Sequence, residues 1–348
     1  MKIARMTALQ KLEICEEPEP ELVEADEVLL RIERVGVCGS DVHYFVNGRI
    51  GDQVVEFPAT VGHECSGTIV EVGPAVENLA PGDRVAVDPA LVCGECDQCR
   101  AGRVNTCRKL QFMGCPDQAP GAVAEFRVLP AGNCLKIPET MSLDEAALVE
   151  PVSIGLHAVR LGEVYPAARV AVLGTGPIGL SVLLCAKASA PCTVYATDLI
   201  DQRLAAAKSC GADWTGNPNR EDIVATLGQK EPWGLDLVFE CSGDPQCIDQ
   251  GLKLLTPGGT LVLVGIPNTN EVSFDIHTMR IKELTFKNVR RQKGCFAPVI
   301  RLIGEKRIDV SPLLTHHFPL ERIQDAFELV AAYGDGVIKA VVDMPPAG

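Results

Sequence analysis

The stretch RVAVLGTGPIGLSVLLCAKASAPCTVYATD, residues 169–198, sets the architecture of the region around it. It begins with an apolar strand pattern at 169–173 and continues with a helix-like apolar run at 177–190. A second strand pattern follows at 192–197, and the same alternation of strand and helix continues further along the chain. Such alternation predicts a doubly wound α/β domain, in which helices cover both faces of a parallel sheet.

The turn between the first strand and the first helix fits the pattern G-x-G-x-x-G, with Gly174, Gly176 and Gly179. Glycines at these positions let a diphosphate approach the backbone at the start of a helix, where free N–H groups favour negative charge. Asp198 ends the next strand, and its carboxylate would accept hydrogen bonds from a ribose and repel a 2′-phosphate. We therefore predict a dinucleotide site that prefers NAD over NADP. Arg203 tempers this preference, because a nearby arginine can accommodate that phosphate.

The first third of the chain is predicted to be β-rich. Short Val- and Ile-rich runs at 27–36, 66–73 and 83–89 are separated by glycine and proline, and no helical periodicity competes with them. A mixed tail follows the α/β region, with a helix predicted at 319–332 and a strand at 337–343. The tail is too short to form a domain alone, so we expect it to pack on the β-rich region.

Composition excludes several classes of protein. The chain has 348 residues, of which 47% are hydrophobic, and a net charge of −14. The length predicts two domains, and the negative charge disfavours nucleic acids and acidic membranes as partners. Because no apolar stretch reaches membrane-spanning length and the start, MKIARMTALQ, lacks the apolar core of a signal peptide, we expect a soluble, cytoplasmic protein.

Four of the fifteen cysteines form a tight cluster in the sequence: Cys93, Cys96, Cys99 and Cys107. Short C-x2-C spacings let one loop wrap a tetrahedral zinc ion, and four thiolates leave no coordination position open. We predict a structural zinc site here. An iron–sulfur cluster, which also takes four cysteines, is the alternative.

A second constellation is spread over the first 150 residues. It comprises Cys38, the pair His63-Glu64, and Glu150. One thiolate, one imidazole and one carboxylate fill three positions of a zinc ion and leave the fourth for water or substrate, as in catalytic sites. Spacing alone does not bring these residues together.

These metal patterns, the glycine-rich turn and their order resemble the zinc-dependent medium-chain alcohol dehydrogenases over nearly the whole chain. Within that family the chain looks most similar to the polyol branch, which includes sorbitol and xylitol dehydrogenases. The phrases that carry the resemblance are CGSDVHY (38–44), GHECSGTIVEVG (62–73), EPVSIGLHA (150–158) and THHFPLE (315–321).

The resemblance implies a GroES-like catalytic domain at 1–155 and 288–348, and a Rossmann domain at 156–287 that binds NAD. It implies two zinc ions per chain, a structural one on the four cysteines and a catalytic one on Cys38, His63 and Glu64, with Glu150 bound directly or through water. Whether Glu64 or Glu150 is the inner ligand stays open. We expect the active site in the cleft between the domains.

The resemblance also implies roles around the substrate. Ser40 would take the alcohol proton and His43 would pass it on, while Tyr44, Glu150 and Arg291 would line the polyol pocket. Gln292 departs from the branch, in which an aromatic residue often follows that arginine, so the length and stereochemistry of the polyol stay undetermined. The positions that match nicotinamide contacts are Ile178, Val264, Gly265 and Ile266.

The predicted function is oxidation of a polyol secondary alcohol to a ketose, with NAD as the acceptor, by a homotetramer or homodimer. One alternative is oxidation of a β-hydroxy amino acid, as in zinc-dependent threonine dehydrogenases, which resemble this chain in both zinc sites. A non-enzymic alternative is a zinc-stabilised nucleotide-binding or redox-sensing protein.

Overall fold

The computed structural model describes residues 1–346, which form two compact units. The first unit comprises Met1–Glu150, Phe296–Glu305 and the chain from Leu314 onwards; the second comprises Pro151–Cys295 and Lys306–Leu313. Residues 151–155, which were predicted for the catalytic domain, lie in the second unit. The predicted division also differs in the tail, because 288–295 and 306–313 lie in the second unit. The first of these segments continues the parallel sheet: the Val289 N–H donates to the Leu263 carbonyl over 2.9 Å.

The first unit is built mainly from strands, as the Val- and Ile-rich runs predicted. Its strands up to residue 150 are β1 (Lys2–Ala8), β2 (Lys11–Glu16), β3 (Glu27–Gly36), β4 (Arg49–Ile50), β5 (Gln53–Val54), β6 (Ala59–Thr60), β7 (Glu64–Val72), β8 (Arg84–Val87), β9 (Ala90–Leu91), β10 (Gln111–Phe112), β11 (Phe126–Pro130) and β12 (Cys134–Lys136). Its helices in the same range are α1 (Gly39–Asn47), α2 (Asp97–Arg100) and α3 (Leu143–Ala147).

Helix α1 corrects the expectation that no helix interrupts this region. Its start is stabilised by Asp41, whose carboxylate accepts the Cys38 N–H over 3.4 Å, and its end by Gly48, which adopts a left-handed conformation with φ of 69°. Tyr44 and Phe45 face the core of the first unit. With only nine residues, the helix is too short to show a clear apolar period in the sequence.

The second unit contains the predicted doubly wound α/β arrangement. Its elements are α4 (Val149–Gly162, which begins in the first unit), β13 (Arg169–Leu173), α5 (Pro177–Ser189), β14 (Thr193–Thr197), α6 (Asp201–Ser209), β15 (Trp214–Gly216), α7 (Ile223–Lys230), β16 (Leu235–Glu240), α8 (Pro245–Leu254), β17 (Leu255–Leu263), α9 (Ile276–Ile281) and β18 (Thr285–Asn288). The six strands pair in parallel in the order β15-β14-β13-β16-β17-β18. The order reverses at β13, so the turn after β13 lies at the switch point where such sheets bind ligands.

The end of the chain completes the sheet of the first unit. After α10 (Phe296–Gly304) come β19 (Leu314–Pro319), α11 (Ile323–Ala331) and β20 (Lys339–Asp343). Strand β20 pairs with β19 on one side and antiparallel with β3 on the other, where Val342 lies opposite Val35. This pairing brings Lys339 to the end of β3 and the start of α1. In the described part of the chain, every helix is too short or too polar to cross a membrane.

Candidate metal and dinucleotide sites

The residues Cys38, His63 and Glu64 come together in the first unit. Cys38 precedes α1, His63 precedes β7 and Glu64 is the first residue of β7; their ligand atoms all lie within 4.8 Å of one another. His63 and Glu64 are buried. Tetrahedral bonds of about 2.0–2.3 Å place ligand atoms roughly 3.3–3.8 Å apart, so small side-chain movements would fit this set to zinc. The set of one thiol, one imidazole and one carboxyl group therefore fits zinc in chemistry and position.

Glu64 has an ionic partner that sequence reasoning missed. Lys339 Nζ lies 2.7 Å from Glu64 Oε1 and 2.6 Å from Glu64 Oε2, and it also donates to the Val37 carbonyl over 3.1 Å. Both side chains are 1% exposed. Burial opposes the charge on the lysine, but Glu64 and Cys38 raise the pKa of Lys339 above its ordinary value. The ammonium group therefore stays charged and holds the Glu64 carboxylate in one orientation.

Gly36 makes room for that carboxylate. It lies opposite Glu64 in the pairing of β3 with β7, and a Cβ atom at position 36 would collide with Glu64 Oε2. A side chain here would displace the carboxylate from Lys339. The sequence showed Gly36 only as the end of a strand.

Asp41 is a second residue that sequence reasoning missed. Its side chain is 1% exposed, and its Oδ1 lies 3.4 Å from His63 Nδ1 and accepts the Gly62 N–H over 3.3 Å. A carboxylate beside one ring nitrogen orients an imidazole so that its other nitrogen can bind a metal. The phrase CGSDVHY contained this aspartate at the right distance from Cys38, but only the fold shows that it approaches His63.

Glu150 lies at the second position of α4 and is 5% exposed. Burial raises the pKa of its carboxyl group to about 7; His63 and Lys339 act in the opposite direction, and Glu64 adds to the increase. Glu150 is therefore close enough to the cluster for their charges to interact. Its ligand atoms are nonetheless outside the set of three that lies within 4.8 Å.

The predicted proton-transfer residues all lie on α1. The Ser40 hydroxyl donates to Cys38 Sγ over 3.3 Å, which places it beside the cluster. His43 is half-buried, and burial lowers the pKa of its imidazole, so it is neutral at pH 7 and able to accept a proton. Tyr44 is buried one turn after Ser40, and its hydroxyl donates to Gln53 Oε1 over 3.2 Å.

The four cysteines of the loop around α2 also come together. The Sγ atoms of Cys93 and Cys107 are 3.5 Å apart, those of Cys96 and Cys107 3.9 Å, and those of Cys93 and Cys99 4.0 Å. Tetrahedral zinc with bonds of about 2.3 Å requires separations of roughly 3.8 Å. Backbone N–H groups of Arg108 and Cys99 lower the pKa of Cys96 to about 6, so that thiol is ionised at neutral pH. Burial raises the pKa of Cys99 in the same cluster to about 12, so the separations of the sulfur atoms, and not the ionisation of the thiols, are what fit a four-coordinate zinc.

In the second unit, the glycine-rich turn follows β13 and leads into α5. Gly179 packs so closely on the Gly174 carbonyl that a Cβ atom would overlap it. Asp198 is buried and accepts two backbone hydrogen bonds. Its Oδ2 accepts the N–H of Thr175, in the turn, over 2.7 Å, and its Oδ1 accepts the Ile200 N–H over 2.9 Å. The Arg203 guanidinium lies over Gly176, 3.5 Å from where a Cβ atom would be. The carboxylate and the cation thus both border the turn.

The other predicted cofactor contacts lie in the second unit as well. Ile178 is in the first turn of α5, and Val264, Gly265 and Ile266 directly follow β17 at the same edge of the sheet as the turn. Arg291 follows β18 and has a φ of 53°, which is unusual for a residue with a side chain.

A third group of possible ligands, Asp144, His317 and Asp343, also has its ligand atoms within 4.8 Å of one another. Arg34 Nε lies 2.7 Å from Asp144 Oδ1 and 3.2 Å from Asp343 Oδ1. Because the Arg34 guanidinium group already pairs with both carboxylates, we interpret this group as an ion-pair network.

Comparison with known proteins agrees with this picture. The Alcohol dehydrogenase GroES-like domain matches residues 24–139, and the Zinc-binding dehydrogenase domain matches residues 177–305. The sorbitol dehydrogenase of Bacillus subtilis is 35% identical over 343 residues, which are 98% of this chain and 97% of that protein. The chain belongs to the zinc-dependent medium-chain dehydrogenases, in their polyol branch.

Solved structures support the same assignment for this dehydrogenase. An Escherichia coli oxidoreductase of unknown specificity superposes with a TM-score of 0.92 at 32% identity, covering 99% of both chains. An Escherichia coli alcohol dehydrogenase solved with NADH has a TM-score of 0.90 at 30% identity and also covers 99% of both chains. The predicted family, the fold class and an oxidoreductase acting on CH–OH groups are thereby confirmed. The cofactors of this family are zinc and a nicotinamide dinucleotide.

Proposed function

We propose that this dehydrogenase oxidises a secondary alcohol of a polyol to a ketone, with NAD as the hydride acceptor. The observation that carries the proposal is the mixed cluster of one thiol, one imidazole and one carboxyl group, with Glu150 close by. Oxygen ligands in place of a second thiolate suit a metal that binds a hydroxylated substrate. The sorbitol dehydrogenase relative supports a polyol as the substrate class.

Cys38, His63 and Glu64 would hold the catalytic zinc, and Glu150 would bind it either directly or through a water molecule. The four cysteines around α2 would hold a structural zinc. When bound, zinc supplies Lewis acidity at the substrate oxygen and the nicotinamide supplies a hydride acceptor. Lys339 and Asp41 are positioning residues, because they orient Glu64 and His63 and would touch neither substrate nor cofactor.

The substrate loses a hydride from carbon and a proton from oxygen. Ser40 is placed to take that proton, since its hydroxyl already lies beside Cys38. His43, neutral at pH 7, would receive the proton and release it to solvent. Tyr44, Glu150 and Arg291 would hold the remaining hydroxyl groups.

The test is a spectrophotometric screen for NADH formation with sorbitol, xylitol, arabinitol, galactitol and L-threonine, with zinc analysis of the same sample. We expect turnover of at least one alditol and about two zinc ions per chain. Turnover of L-threonine and of no alditol would contradict the proposal and favour a β-hydroxy amino acid as the substrate. NADH binding without turnover of any of the five compounds would favour the non-enzymic alternative.

The cofactor preference is tested with Asp198→Ala. Because Asp198 borders the glycine-rich turn and its charge would repel a 2′-phosphate, we expect KM to rise more for NAD than for NADP. Thr175→Ala, which removes a hydroxyl that lies 3.3 Å from the same carboxylate, is a control for general damage to the turn. An unchanged ratio of the two KM values in Asp198→Ala would contradict the assigned role.

A further inference from the structure

Glu240 is a buried residue with a carboxyl group that no step of the proposed reaction uses. It is the last residue of β16, is 2% exposed, and lies opposite Leu263 in the pairing with β17. The carboxyl ends of parallel strands form the edge at which such sheets bind ligands. Burying a carboxylate costs free energy unless it is hydrogen-bonded, so its partners show what it holds in place.

One oxygen of this carboxyl group accepts three hydrogen bonds from the turn after β16. Glu240 Oε1 accepts the Ser242 N–H over 2.7 Å, the Gly243 N–H over 3.0 Å and the Ser242 hydroxyl over 2.5 Å. Burial raises the pKa of the carboxyl group, and these hydrogen bonds act in the opposite direction. The three donors thus offset part of the cost of burial and fix the backbone at 242–243.

The main chain of Glu240 holds the loop that follows β17. Its carbonyl oxygen accepts the Val264 N–H over 2.8 Å and the Gly265 N–H over 2.9 Å. Glu240 is therefore bonded to two neighbouring loops, to one through its side chain and to the other through its main chain.

The two loops also touch each other at two glycines. A Cβ atom on Gly265 would lie 2.2 Å from the Gly243 nitrogen and 2.8 Å from Glu240 Oε2. Gly243 has a φ of 75°, and a Cβ atom there would lie 2.5 Å from the Ile266 carbonyl oxygen. This approach is closer than any side chain allows, so a shift of the turn at 242–243 would also move residues 264–266.

The glycine-rich turn after β13 is held by other groups. The Gly174 N–H donates to the Thr197 carbonyl over 2.8 Å, and the Thr175 N–H donates to Asp198 over 2.7 Å. Ser242 packs beside Gly174, but neither of these bonds involves Glu240. The part of the site that suits a diphosphate is therefore fixed separately from residues 264–266.

We propose that Glu240 is a positioning residue for the nicotinamide end of the dinucleotide. It fixes the backbone of residues 264–266, which the resemblance to this family assigns to nicotinamide contacts, and the inference rests on the proposed function in that respect. Without the carboxylate, the turn at 242–243 loses its acceptor and the neighbouring loop loses its support.

The experiment compares two ligands of the zinc-loaded protein by isothermal titration calorimetry. NADH carries the nicotinamide, whereas ADP-ribose has the adenosine, the diphosphate and the second ribose without it. In Glu240→Ala we expect NADH binding to weaken about tenfold and ADP-ribose binding to change by less than about twofold. Glu240→Gln should recover most of the NADH affinity, because its amide oxygen can accept the same hydrogen bonds.

Asp236→Asn is the matched control. Asp236 lies near the other end of β16, where its carboxylate pairs with Arg169 over 2.8 Å. This variant changes a carboxylate of the same strand away from the ligand-binding edge, so the affinity for both ligands should stay within about twofold of wild type.

Ser242→Ala decides the question if Glu240→Ala does not fold, because it removes one of the three donors from an exposed residue. We expect NADH binding to weaken about two- to threefold, with ADP-ribose binding unchanged. Unchanged NADH binding in both variants, an equal loss for both ligands, or no recovery in Glu240→Gln would overturn the proposal.

These titrations and the alditol screen can fail separately. Binding of NADH and ADP-ribose needs no turnover, so a negative alditol screen would leave the role of Glu240 standing. Oxidation of an alditol together with unchanged NADH binding in the Glu240 and Ser242 variants would overturn this role and leave the proposed function standing.

Discussion

The two cysteine-containing clusters of the first unit differ in how the chain builds them. The four cysteines around α2 lie within fifteen residues of sequence, on a loop whose neighbouring charges, such as Arg108 and Asp97, are exposed. Cys38 comes from the turn before α1, the adjacent residues His63 and Glu64 come from the start of β7, and Lys339 joins them from the last strand, 275 residues after Glu64. One cluster is local and the other is assembled by the fold.

This difference is the one we expect between a structural metal site and a catalytic one. A local loop of four thiolates closes the coordination shell and needs little from the rest of the protein. The mixed cluster has three ligand types, a buried ion pair and a positioned imidazole, each held by a different element. Changes in the first cluster should therefore affect stability, and changes in the second should affect turnover or the buried charge balance.

Cys38→Ser should produce the largest effect. Loss of the thiolate removes one proposed ligand of the catalytic zinc, and we expect kcat/KM to fall on the order of 10³-fold, since metal-based charge stabilisation is worth several kcal/mol. The measurement is steady-state kinetics with the best polyol from the screen. Cys15→Ser, the same change outside both clusters, should retain full activity. Normal turnover in Cys38→Ser would show that this cluster does not hold the catalytic metal.

Lys339→Met should lower the free energy of unfolding by about 3–5 kcal/mol, because it leaves the buried Glu64 carboxylate without its counter-ion. Urea denaturation followed by circular dichroism measures the change. The double variant Lys339→Met with Glu64→Gln should recover part of the loss, since the uncompensated charge is then absent. Wild-type stability in the single variant would show that the pair does not hold the cluster together.

Cys99→Ser should act on stability more than on turnover. We expect about one zinc ion per chain to be lost and the melting temperature to fall by about 5–10 °C, while kcat changes little. Metal analysis measures the zinc content per chain, and thermal unfolding measures the melting temperature. A large fall in kcat with unchanged melting temperature would reverse the roles assigned to the two clusters.

Arg108→Ala should have the smallest effect. Arg108 and Asp97 form an exposed ion pair on the four-cysteine loop, with side chains 68% and 55% exposed. Exposed pairs contribute little, so the melting temperature should change by less than about 2 °C. Thermal unfolding at low and high salt is the measurement. A shift as large as that of Cys99→Ser would mean that the loop depends on this pair as much as on its thiols.

Much of the second unit was predictable because its signals are local. The strand patterns at 169–173 and 192–197 match β13 and, to within one residue, β14, and the glycine-rich turn lies between strand and helix as expected. Helix α1 was missed because its start depends on one carboxylate and its nine residues show little period. The whole tail was predicted to belong to the first domain. In the structure its segments are divided between the two units, because residue 289 bonds to the parallel sheet and the last strands pair with the sheet of the first unit.

The sequence by itself determined the fold class and the four-cysteine cluster, because periodicity, glycine spacing and C-x2-C spacing all act over short distances along the chain. The family and the other candidate ligands came from the resemblance of several short motifs to known dehydrogenases. Only the tertiary structure decided that Lys339 pairs with Glu64, that Asp41 faces His63, and that Glu240 bonds to two neighbouring loops. These contacts join residues far apart in sequence, or side chains whose directions depend on strand pairing. The partner of a buried charge depends on how strands and helices pack, and the spacing of residues along the chain does not reveal that packing.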